Sequence, residues 1–228
     1  RLLDEKKVDV VVGYEAGTLP LTATPVFITA PEEAEKLVWN PLCVQNLAKF
    51  VHDLLGSHHE AQKRVKPEAK RKKTVGVVAR GCTTRSLMIH LQEKQYARDE
   101  IVILGVPCGG YVDSRKLASL AGGEEIREGS LAGDKVSVKT LKGEKQAPLA
   151  ELLADNCLTC RFNEPVMADV STGKGTPIAA AEKEYEPVAA FEGLPAEERW
   201  AYFEKEMAKC IRCTACRNVC PSCYCRIC

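Results

Sequence analysis

Twelve cysteines stand in a chain of 228 residues, and seven of them fall in its last 20, "KCIRCTACRNVCPSCYCRIC" from Lys209 to Cys228. Cys210, Cys213, Cys216 and Cys220 follow the spacing C-x2-C-x2-C-x3-C, and Pro221 comes directly after the fourth. Three thiolates two residues apart wrap a chain around one corner of a 4Fe-4S cubane, with backbone amides turned toward the sulfides. Cys223, Cys225 and Cys228 lie behind that run. Seven thiols are three more than one cubane takes and one short of two. A second cluster here would draw its last ligand from Cys43 or from beyond Cys228.

The other five cysteines are scattered. Cys82 stands in "RGCTTR" and Cys108 in "GVPCGG", each just past a buried-type apolar run, "TVGVVA" (Thr74–Ala79) and "IVILGV" (Ile101–Val106). With a helical stretch between them, those runs read as a βαβ unit with parallel strands and a right-handed crossover. Both cysteines then leave the same edge of the sheet, outside the strands' carboxyl ends, where open α/β sheets bind ligands. Adjacent strands lie about 4.8 Å apart, so the two thiolates can share a cluster. Gly81, Gly109 and Gly110 leave backbone room and amide donors beside it. Cys157 and Cys160, in "NCLTCRF", add a CxxC pair. Cys82, Cys108, Cys157 and Cys160 thus make a candidate 4Fe-4S site, and Cys43 reads as a core thiol on a helix.

Other thiol chemistry fits less well. Disulfide frameworks belong mostly to small secreted domains, and no charged-then-apolar signal opens this chain. Zinc is content with two CxxC pairs and does not call for a third ligand and CP in one run. A redox dithiol CxxC normally follows a strand and opens a helix, whereas Cys157 follows a short helix. His52, His58, His59 and His90 sit in helical or linker stretches and read as surface or capping residues, which leaves no Cys–His nucleophile.

The elements that must position these thiols fit an α/β class, with a mostly parallel sheet, flanking helices and a small ferredoxin-like cysteine-rich module at the end. Val8–Val12 and Pro25–Thr29 read as strands. Pro31–Val38 and Leu42–Leu55 read as helices, the second stopped by Gly56 and Ser57. Asp113–Leu120 reads as a helix capped by Asp113 or Ser114, and Lys135–Leu141 as an antiparallel strand with one wet face. Pro148–Ala154 and Pro195–Met207 are helical. The division expected is 1–194 for the α/β part and 195–228 for the cysteine-rich part. The chain opens on Arg1 and closes on Cys228, so further residues are expected at its ends. Net charge is +1 and aromatics make up 6%, which gives no reason to expect nucleic acid. No apolar run approaches a membrane span. Ala61–Lys73, with seven basic residues against one acid, reads as a solvated linker or a docking face for an acidic partner. A cytoplasmic setting keeps thiols reduced.

At this point the chain resembles a known family, the coenzyme F-420 hydrogenase/dehydrogenase beta subunits. "GVPCGG" is similar to their G-x-P-C-Q segment, and "CLTCRFNEPVMADVSTG" to their C-x-x-C-x-D-x5-A-D-I-S-x-G segment, with Asp169 and Gly173 at the family's Asp and Gly. "KVSVKTLKGEKQAPLAEL" looks like the strand and turn before it. The tail resembles ferredoxin-type modules fused to relatives, formate dehydrogenase beta subunits among them. The resemblance implies a cluster on Cys108, Cys157, Cys160 and Cys82, a cofactor role for Asp169, and a flavin (FAD) exchanging electrons with a deazaflavin or other carrier. Gly109 replaces the family's Gln, and "GKGTPIAAAEKEYEP" is shorter than the Gly- and aromatic-rich stretch that helps hold the flavin there. The expectation is an electron-relay subunit with two or three 4Fe-4S clusters, partnered by a formate dehydrogenase, hydrogenase, heterodisulfide-reductase-like protein or flavoprotein. Arg212, Arg217 and Arg226 would offset tail-cluster charge. The alternatives are a catalytic flavin subunit and a zinc-stapled interaction module.

Overall fold

The computed structural model describes residues 1–175, 183 and 185–224. Its main sheet has the order β2-β1-β3-β4-β8, formed by β1 (Val10–Ala16), β2 (Ala23–Ile28), β3 (Val75–Ala79), β4 (Ile101–Gly105) and β8 (Val170–Ser171). β1, β3, β4 and β8 run parallel, and β2 folds back antiparallel on the outer edge of β1. The unit β3-α2-β4, with α2 at Gly81–Gln92, is the βαβ expected from the apolar runs. α1 (Ala48–Gln62) packs beside α2 and against β3.

Strand alternation decides which side chains enter which layer. Val10, Val12 and Tyr14 of β1 point to one face, with Val75, Val77, Ile101 and Ile103, and meet Val51 and Leu55 of α1 and Leu87 of α2. Burying an aliphatic side chain of this size is worth about 1.5–3 kcal/mol, so this layer dominates stability. Val11 points to the other face, where Val8 and Ile28 form a thinner layer.

A second sheet is an antiparallel meander of β5 (Glu128–Ala132), β6 (Lys135–Thr140) and β7 (Gly143–Pro148). Val136, Val138 and Thr140 are buried between wet Lys135, Ser137 and Lys139, the alternation expected of β6. Its buried face packs with Leu117 of α3 (Ser114–Ala121) and Leu152 of α4 (Leu149–Leu152). Asp113 caps α3 by accepting from the Arg115 amide. Then come α5 (Asp155–Leu158), α6 (Glu186–Glu192), α7 (Ala196–Met207) and α8 (Ala215–Val219).

Four local readings need correction. α1 begins at Ala48 rather than Leu42 and runs through Gly56 and Ser57 to Gln62. An interior glycine costs a helix about 1 kcal/mol, less than the packing of Val51 and Leu55. Pro31–Lys36 is a 3-10 helix. Cys43 lies ahead of α1, not on it. α2 begins at Gly81 rather than Thr84, which puts Cys82 in its first turn.

Candidate functional site

The cysteines of the α/β part meet at the carboxyl edge of the main sheet. β3 ends at Ala79, Arg80 is the N-cap of α2, and Cys82 follows in the first turn. β4 ends at Gly105, and Cys108 lies in the loop beyond it. Cys157 sits on α5 and Cys160 just after it. Cys82, Cys108, Cys157 and Cys160 line one cavity together with Arg80, Gly81, Gly110, Tyr111 and Phe162. No disulfide joins the described cysteines.

Short backbone contacts hold the three stretches in place. The Cys108 amide donates to the Asn163 carbonyl at 2.8 Å, and the Val166 amide donates to Thr84 Oγ1 at 3.1 Å. The Arg85 guanidinium lies 4.0 Å from the Phe162 ring centroid. Two amides point at sulfur: Gly110 N–H donates to Cys108 Sγ at 3.4 Å, and Phe162 N–H to Cys160 Sγ at 3.3 Å. Such bonds stabilise a thiolate and tune any metal it holds. The N-terminus of α2 adds its partial positive charge.

Burial pushes the Cys157 thiol up to about 11. A buried thiol of that kind is a poor nucleophile, which argues against a redox dithiol here. Metal binding would displace the proton. Among the described residues, no three or more His, Cys, Asp or Glu side chains converge as tightly as a single ion requires. Zinc draws its thiolates to about 2.3 Å from one centre, whereas a cubane spreads its ligands around its own body. Four thiols line the cavity, and two of them are met by amides.

The other residues singled out from the sequence have varied places. Gly81 and Gly110 line the cavity, and nothing lies within 4 Å of a Cβ built on Gly109. Asp169 is committed elsewhere: Arg98 Nη2 donates to its Oδ1 at 2.6 Å and the Ile103 amide to its Oδ2 at 2.7 Å. That pair ties the start of β8 to β4. Cys43 is fully buried in the main core, where desolvation raises its pKa.

In the tail, Cys210, Cys213, Cys216 and Cys220 are exposed and Cys223 is half-buried, while Cys225, Cys228 and Arg226 lie outside the described residues. Arg212 and Thr214, between the first three thiols, have φ of 58° and 60°. Left-handed non-glycine residues are uncommon, but no three of the described tail thiols converge as a group that could hold a metal ion.

Two buried residues escaped the sequence reading. His90, expected at the surface, is fully buried. Its Nε2–H donates to the Pro221 carbonyl at 2.6 Å, and its Nδ1 accepts from Tyr96 OH at 3.2 Å. The ring of Tyr224 lies 5.3 Å from that of His52 and 5.8 Å from that of His90, so the tail lies against α1 and α2. Arg80 is 3% exposed and lines the cysteine cavity. A lone arginine closing an apolar strand, directly before Gly-Cys, was the available sign.

No family model matches the chain. Over 98% of its length it is similar to the F420-dependent formate dehydrogenase subunit beta of Methanocaldococcus jannaschii, at 23% identity over 289 residues and 70% of that protein. This likeness bears out the beta-subunit resemblance of the motifs. A structure of the F420-reducing [NiFe] hydrogenase complex from Methanosarcina barkeri matches with a TM-score of 0.47 and 14% identity, over 91% of this chain and 81% of that one.

Proposed function

We propose that this chain is an iron–sulfur electron-transfer subunit of a multi-subunit oxidoreductase. In this reading residues 1–194 carry a 4Fe-4S cluster on Cys82, Cys108, Cys157 and Cys160. Residues 195–228 carry one ferredoxin-type cluster on the run from Cys210 to Cys220, or two if Cys223, Cys225 and Cys228 take part. A bound 4Fe-4S cluster takes up and gives back single electrons at a potential set by its surroundings. The chain's own work is to hold and tune. The Gly110 and Phe162 amides bond to ligand sulfur, the start of α2 offers positive potential, and Cys157 is shielded from water.

The observation that carries the proposal is the convergence of four thiols from three separate stretches on one cavity. The likeness to a subunit of an F420-dependent formate dehydrogenase supports partners of that kind, a formate dehydrogenase, a hydrogenase or a flavoprotein. Trp200, Met207 and Ile211, 65%, 66% and 83% exposed, are more apolar surface than a lone chain needs, and support a stable complex. No helix among the described residues is long and apolar enough to cross a membrane, and a cytoplasmic location is part of the proposal.

A second reading, a catalytic flavin subunit, draws on a cleft of about 540 Å³ lined by Val44, Gln45, Lys49, Phe50, Tyr111, Asn218 and Val219. That volume lies in the usual range of cofactor pockets. Iron, sulfide, zinc and flavin content per chain, measured after strictly anaerobic purification, tests both readings. Iron and sulfide in equal amounts, eight or twelve of each per chain on the order of two or three cubanes, are expected. Zinc without iron would end the relay reading, and stoichiometric flavin would favour the second.

A further inference from the structure

Arg80 carries a charge that the protein leaves without a counter-charge. Its Nη1 donates to the Cys43 carbonyl at 2.5 Å, and its Nη2 to the carbonyls of Val44 at 2.6 Å and Gln45 at 3.2 Å. These acceptors are neutral, and no carboxylate among the described residues pairs with it. Its Nε has no hydrogen-bond partner. The Tyr111 ring, 5.2 Å from the guanidinium carbon, covers one face. An uncompensated buried cation is expensive, and a buried N–H left unbonded adds to the cost. Both lie at a cavity whose four thiols, once deprotonated around a cluster, would supply the missing anion.

We propose that Arg80 is the built-in counter-cation of this cysteine cavity, stabilising an anionic cluster and most of all its reduced, more negative form. The inference rests on the proposed cluster site. A fixed cation lining the same cavity favours the state with one more electron, so it raises the reduction potential. The carbonyl fork on residues 43–45 holds the guanidinium rigidly in place.

The test uses the full chain with all seven tail cysteines, Cys210, Cys213, Cys216, Cys220, Cys223, Cys225 and Cys228, replaced by serine, so that only the α/β site can load. The parent, Arg80→Lys and Arg80→Gln are reconstituted anaerobically with iron and sulfide. Each is titrated potentiometrically, with the signal of the reduced cluster followed by electron paramagnetic resonance. A midpoint clearly more negative in Arg80→Gln, and close to the parent in Arg80→Lys, is the expected result. An unmoved midpoint in Arg80→Gln, or equal shifts in both variants, overturns it. If Arg80→Gln holds no iron, loading of Arg80→Lys supports the role of charge. Failure of both, with thermal unfolding of the metal-free chain lowered equally, makes Arg80 a clip for residues 43–45 and overturns the proposal. If the parent itself loads no iron, the cluster site falls and this inference falls with it.

Discussion

A methyl group on Gly81 would meet the carbonyl oxygen of Phe162 at 1.8 Å and that of Glu164 at 2.7 Å. Both are backbone atoms, so the clash cannot be relieved by turning a side chain. Gly81 is where the start of α2 and the segment after Cys160 come closest, and that approach brings Cys82 to the same cavity as the CxxC pair. Gly81→Ala is expected to cost about 1–3 kcal/mol or more in urea unfolding, and to lower the iron held by the α/β site. Gly109→Ala, beside Cys108 but with open space around it, is the control and should unfold like the parent. The meeting of Cys82, Cys108, Cys157 and Cys160 on one cavity was legible because two of them follow apolar strands of one βαβ unit and two form a CxxC pair. Arg80 and His90 were not, since nothing local says that a charged or titratable side chain will be covered by elements distant in sequence.

At the scale of elements, apolar periodicity placed β3, α2, β4, α3 and β6 within a few residues, because each buries a regular face. What failed were features set by neighbours: the extra turns of α1, and the two-residue β8, held through Asp169 and Arg98. The contact of the tail with α2 belongs to this group and has a pH dependence. Burial chiefly, and then nearby His52, lower the pKa of His90 below 6.5, against opposing effects of the Pro221 carbonyl, Glu93 and Asp53. Tyr96 and Tyr224 complete its surroundings. The folded state therefore keeps the imidazole neutral where the unfolded chain already binds a proton. Stability from this source is present above about pH 6.5 and is lost as pH falls toward the lowered value. Urea unfolding of the metal-free chain should show that loss between pH 7.5 and 5.5, and His90→Gln should flatten it. A His90→Gln profile parallel to the parent's would show that other groups set the acid sensitivity.

For the whole molecule, the question is whether two sets of thiols on different parts of the chain can act as one conductor. Tyr111 lines both the cysteine cavity and the larger cleft, and the far wall of that cleft is Asn218 and Val219 of α8, two residues that lie between Cys216 and Cys220. The tail is thus held with one cleft between the two thiol sets, by the His90–Pro221 bond and the Tyr224 ring. Electron exchange falls off steeply with distance, so this docking matters more to a relay than the stability of either part. If both sites load, their unpaired spins should interact when both are reduced. The fully reduced protein should then show a broadened or split resonance absent from a chain with Cys82, Cys108, Cys157 and Cys160 replaced by serine and from one with all seven tail cysteines so replaced, each of which empties one part. His90→Ala should weaken that interaction while leaving the iron content of the tail unchanged, because His90 meets the tail through the Pro221 carbonyl and the Tyr224 ring. A fully reduced spectrum equal to the sum of the two single-site spectra would mean that the parts work apart, and that electrons pass between them only through a partner subunit.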